Sequence, residues 1–211
     1  MDKLGKIFEI AEPFFRQKLN GNLKTLAKGF NDNRKDISND FADRIKNLYA
    51  MAAQHQREAS KNPVSFLYIA YLRSSLITKT YDCRLSLHNE DLYMDPVETC
   101  GYWKPGFLFG HMEQDMKELQ TILMGERSIG HVSDFDVKEV EYSYAHAHMF
   151  TAVFFMGSLI KDTLEKAEAE SWEAPVFSDG FAVVFGGHME NAYEIYPNYT
   201  GPKIPDEVMA L

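Results

Sequence analysis

A chain of 211 residues with 45% hydrophobic and 25% charged side chains is long enough to bury a substantial core. Its longest apolar run, Met149 to Met156, is far too short to span a bilayer. The net charge of -9 is uneven, with eleven Lys/Arg against eight Asp/Glu in residues 1–60 and eleven against 23 thereafter, and so acidic a body disfavours wrapping a polyanion such as nucleic acid.

Two cysteines, Cys83 and Cys100, make neither a disulfide framework nor a metal knuckle. Met1 to Lys6 carries charges where a secretory signal would be apolar. The expectation is a reduced, cytoplasmic protein without membrane or nucleic-acid partners.

Residues 1–60 predict a helical hairpin. Ile7, Ala11, Phe14 and Phe15 mark the first helix, interrupted at Pro13 and loosened at Asn20 to Asn22. Ile37, Phe41, Ile45, Leu48 and Ala52 form a one-sided stripe on the second, with the boundary at Asn31 to Asn33. Asn62-Pro63 reads as a cap and first helical position, and Val64 to Leu72 is apolar on nearly every side. A helix with no polar face must be surrounded, so this segment is expected as a helix at the centre of the fold.

The period then changes to two. Tyr81, Cys83, Leu85 and Leu87 alternate with Asp82, Arg84, Ser86 and His88, which predicts a half-buried strand. A turn at His88 to Asp91 and a return through Leu92 to Met94 would complete a hairpin over about 80–95. Residues 101–106 read as a loop, and Leu108, Met112, Met116, Leu119 and Leu123 as an amphipathic helix. Ser133 to Asp136 resembles a helix start, and from about residue 136 a helix is expected through Ala167, favoured by alanine and glutamate and by the lack of any turn signal, although Val140 to His148 also alternate. Phe181 to Phe185, a turn at Gly186-Gly187, and Ala192 to Tyr196 predict a second hairpin over 181–196, with an irregular tail from 197 to 211. The fold class is therefore α+β and helix-dominated, one domain over 1–211 with a small antiparallel sheet built from the two hairpins. Pairing of 181–185 with 81–87 would cover both edges.

No phosphate-cradling glycine loop and no nucleophile elbow occurs. Gly110 to Glu113 recurs as Gly187 to Glu190 in a different backbone setting, which reads as coincidence. Aromatic residues reach 13%, and Tyr102 and Trp103 sit in a loop suited to lining a pocket, with His188 on a glycine turn as a free contact residue. These features point to a ligand-binding or regulatory interaction module for a small molecule or protein.

The alternative is a metal-dependent enzyme, hydrolytic or oxygen-using. His111, Asp115 and Glu118 fall at i, i+4 and i+7 of one helix, a spacing from which imidazole and carboxylates could hold zinc, iron or manganese. His146 or His148 would complete the shell, but in a helix those two diverge by about 200° and cannot share an ion.

Overall fold

The computed structural model describes residues 3–126 and 129–203. Among them are six α-helices, of which the short α3 is Arg73–Ile77, and a five-stranded mixed sheet, so the class is helix-dominated α+β. The chain divides into two compact units, one of residues 3–32 with 106–151 and one of 33–105 with 152–203. The predicted N-terminal hairpin is split between them: α1 (Lys3–Asp32) belongs to the first unit and α2 (Arg34–Arg57) to the second.

The first unit packs α1 against α4 (Met112–Gly125) and α5 (Asp134–Thr151). Buried Ile7, Ala11, Phe15, Leu23, Leu26 and Phe30 recur at three- and four-residue spacing along α1. That stripe keeps the helix continuous through Pro13, which faces solvent, despite the hydrogen bond proline removes. Ser133 begins α5 as the spacing predicts: its hydroxyl accepts the Asp136 N–H at 3.3 Å, and the Asp136 carboxylate accepts the Ser133 N–H at 2.7 Å. Lys3 meets the same carboxylate at 2.5 Å. Together, Lys3 first and then Ser133, these contacts hold the Asp136 pKa at about 2.

In the second unit Val64 to Leu72 is not a helix. Val64–Tyr71 forms β1, the central strand, antiparallel to β2 (Cys83–His88) and parallel to β4 (Phe177–Gly187). A segment apolar on all sides has no period to separate helix from strand. Its eight residues, rich in aromatic and β-branched side chains, suit a strand covered on both faces. The expected 80–95 hairpin is corrected as well. Leu92–Met94 is a single 3-10 turn, and β2 pairs instead with β3 (Cys100–Trp103), the segment read as loop. The 181–196 hairpin is present as β4 and β5 (Ala192–Tyr196), starting four residues early. Strand order is β3-β2-β1-β4-β5, so β1 lies between the two strands expected to pair, and the sheet is mixed rather than antiparallel. Residues 197–203 carry neither helix nor strand, and 204–211 of the predicted tail lie outside the described residues.

Alternation sorts the sheet's side chains onto two faces. Leu67, Leu85, Trp103 and Phe185 occupy one, under α2 and α6 (Val153–Ala169). Trp103 meets Phe41 of α2 edge-on at 4.9 Å, and a Cβ on Gly101 would stand 3.6 Å from Leu48. The opposite face carries Phe66, Tyr68 and Ala70 of β1, His88, Ser86 and Arg84 beside them on β2, and Cys100 and Tyr102 on β3. No helix among the described residues is long and apolar enough to cross a membrane.

Candidate ligand-binding face

The polar row Arg84, Ser86 and His88 follows from the period of two: every second residue of β2 points away from the helices. Ser86 Oγ and His88 Nε2 are 2.8 Å apart. The imidazole also hydrogen-bonds the Leu92 backbone. Donating to that carbonyl leaves Nε2 to accept the Ser86 hydroxyl in the neutral ring. Burial lowers the His88 pKa, the Leu92 bond opposes it, and nearby Lys61 and Arg84 add to the lowering.

Tyr93 stands at the centre of a ring cluster. Its centroid lies 5.9 Å from His88, 5.5 Å from His188 and 6.0 Å from Tyr68, all edge-on. Its hydroxyl accepts the Met189 N–H at 3.0 Å and meets the Tyr68 hydroxyl, which donates to the Gly187 carbonyl at 2.5 Å. Burial, then Tyr93, pushes the Tyr68 phenol up in pKa. The loop after β2 and the turn after β4 are thereby fixed to each other. Tyr93 is nevertheless 41% exposed, and Met94 and Met189 beside it are 82% and 70% exposed. Apolar side chains left in water around ordered polar groups are the informative kind of exposure.

At the other end of the row, Arg84 pairs in register with Tyr102, which is 55% exposed. One guanidinium nitrogen reaches the exposed Glu98 carboxylate, and the Cys100 thiol donates to the same oxygen at 3.1 Å. The thiol and Arg84 hold Glu98 below its ordinary pKa, while burial and Glu98 raise that of Cys100. Arg84 Nε is buried with no hydrogen-bond partner.

Of the residues expected to form an aromatic site, Tyr102 and His188 belong to this face. Trp103 does not: adjacent residues of a strand point oppositely, and it is a core residue at 2% exposure. Arg84, Ser86, His88 and Tyr93 carry no site motif in the sequence. For Arg84, Ser86 and His88 the signal is the polar half of the alternation in 81–88, which by itself reads as a solvated face, whereas Tyr93 lies beyond that alternation and carries no such signal.

The predicted metal residues lie in the first unit. Helix α5 does send His146 and His148 apart, His146 half-exposed near Tyr142 and His148 fully buried. Asp115, 4% exposed, accepts the Tyr144 hydroxyl at 2.6 Å and the Asn22 amide at 3.0 Å, and pairs with Lys18 at 3.1 Å. Glu118 takes Lys18 at 2.6 Å, while His111 is exposed at the start of α4. The i, i+4, i+7 stripe is real, but its carboxylates face cationic and hydroxyl donors. No group of three or more His, Cys, Asp or Glu among the described residues could hold a metal ion.

His148 is the exception to this satisfaction. Neither ring nitrogen has a partner, and Tyr144 and Phe109 surround it with rings at 4.6 and 6.4 Å. Because Tyr144 donates to a buried carboxylate, Tyr144→Phe should destabilise this unit by about 1.5–3 kcal/mol, read as a lower urea midpoint at unchanged slope.

A groove of about 330 Å³ between α6 and β5 is mainly apolar, lined by Ile160, Leu164, Ile195 and Tyr196, with Lys161, Glu165 and Glu168 also contributing to its walls. No protein-family model matches the chain, and no curated protein or solved structure matches it.

Proposed function

We propose that this chain is a small-molecule-binding module whose recognition surface is the sheet face bearing Arg84, Ser86, His88, Tyr93, Tyr102 and His188. One observation carries the reading: a Tyr93 ring locked by Tyr68 and flanked by two imidazoles, yet exposed together with Met94 and Met189. Planar rings provide contact area at low entropic cost, and methionine side chains adapt to an irregular ligand. The ordered hydroxyls and imidazoles supply orientation. Nothing in this arrangement requires bond making.

Methyl NMR of methionine-labelled protein, titrated with a panel of small aromatic metabolites, tests it. At least one compound should shift the Met94 and Met189 signals and leave that of Met124 in the other unit unmoved. Tyr93→Ser should weaken that compound by about tenfold or more, equivalent to about 1.4 kcal/mol. Wild-type affinity in Tyr93→Ser, or a panel that moves neither methyl, would remove the proposal.

A further inference from the structure

We infer that Arg84 is the anion-recognition residue of this face and that its natural ligand carries a carboxylate on a planar body; the inference rests on the face being a binding surface. A guanidinium presents Nε–H and an Nη–H side by side, the spacing of the two oxygens of a carboxylate. Here only half of that edge is used. Nη2 goes to Glu98, while Nε has lost water and gained nothing in return. A buried donor without an acceptor costs about 1–3 kcal/mol, so a second oxygen placed there recovers an interaction the free protein lacks.

Glu98 itself shows what the position accepts. It is a carboxylate, its side chain is 65% exposed, and a single oxygen, Oε1, takes both the Arg84 nitrogen and the Cys100 thiol. It is an internal stand-in, tethered in a way that leaves Nε unmet, and its exposure lets it swing into water when a ligand carboxylate arrives. Tyr102, opposite Arg84 in register and 55% exposed, lies where the body of such a ligand would rest. Arg84, Ser86 and His88 continue along one face toward Tyr93, which sets the direction in which a longer molecule would extend.

Isothermal titration with 2-naphthoate and its neutral amide, 2-naphthamide, separates this inference from the broader reading. The carboxylate should bind about tenfold or more tighter than the amide in wild type. Arg84→Lys keeps the charge and the strand but loses the paired N–H edge, and should erase most of that preference. Glu98→Gln should tighten 2-naphthoate several-fold by weakening the competitor. Circular dichroism and the unfolding midpoint confirm that each variant is folded. Equal binding of acid and amide, or an unchanged preference in Arg84→Lys, overturns the anion site while the binding face stands on its amide affinity. Absence of binding by both compounds, with no aromatic compound moving the Met94 or Met189 methyl signals, overturns both.

Discussion

Truncating Lys61 or Asp95 should cost the sheet unit about 3–5 kcal/mol, because each leaves the other as an uncompensated buried charge. The two side chains are 0% and 2% exposed and 2.5 Å apart. Lys61 also donates to the Val97 carbonyl at 2.9 Å, and Asp95 accepts the backbone N–H groups of Asn89 and Val97 at 2.8 and 3.0 Å. This one pair therefore closes the loop between β2 and β3 and fixes it to the residue three before β1. The loop carries Tyr93, so the pair also holds the centre of the proposed binding face.

The partners are not equivalent. Asp95→Ala leaves an ammonium with only the Val97 carbonyl and strands two amide donors, whereas Lys61→Met leaves a carboxylate that retains both amides. Urea unfolding of the single variants should place Asp95→Ala lower. The double variant Lys61→Met/Asp95→Ala should be less damaging than the sum of the two, yet still below wild type because the amides remain unpaired. Strict additivity would mean that the pair is not coupled.

Burial by itself would raise the Asp95 pKa, but Lys61 and the two amides outweigh it and hold the group below its ordinary value. A depressed carboxylate binds fewer protons folded than unfolded. Its contribution is thus complete above the normal carboxylate range and is lost as acid protonates it.

Most of the helices and the second hairpin were legible from spacing, because an amphipathic helix and a β-turn each leave a local signature. Ser133 with Asp136 marked the start of α5, and the Asn31–Asn33 boundary stands where α1 gives way to α2. Val64–Tyr71 was not legible for a physical reason: burial on both faces erases the polar residues that would reveal a period. With the central strand misassigned, the partners of β2 could not be found, and Cys100–Trp103 looked like loop although it is an edge strand.

The proposed site is legible in the sequence only in pieces. Loop-like surroundings mark Tyr102 and His188, and adjacency groups Trp103 with Tyr102, which in a strand is the wrong relation. The meeting of His88, Tyr93 and His188 depends on β1 bringing β2 and β4 to either side of it, a long-range fact with no sequence period. The stripe His111, Asp115 and Glu118 shows the converse. Its geometry was right and its chemistry was set elsewhere, by Lys18 and Asn22 on a helix about a hundred residues away in the chain.

Acidification should selectively loosen the three-helix unit, through His148. The ring is fully buried and neither nitrogen is hydrogen-bonded. Burial lowers its pKa to about 4, with the Asp115 carboxylate opposing and His111 reinforcing the shift. Lys18 offsets much of the Asp115 charge at 3.1 Å, and the Tyr144 ring stands T-shaped against the imidazole at 4.6 Å, so Asp115 compensates an imidazolium only in part. The unfolded chain has an ordinary histidine of pKa about 6.5. Between the two values the unfolded state binds the extra proton, so stability is complete above about pH 6.5 and falls as pH drops towards 4, by about 3 kcal/mol in all. His148→Leu removes both the titration and two unpaired polar atoms. It should unfold in urea at pH 7 no more easily than wild type, and should lack the wild-type loss between pH 6.5 and 4. Taking the difference between the two proteins cancels the acidic groups they share, Asp136 among them. Parallel stability curves over that interval would show that His148 is hydrated or paired in solution, and the ring's own proton NMR titration would then fall near 6.5.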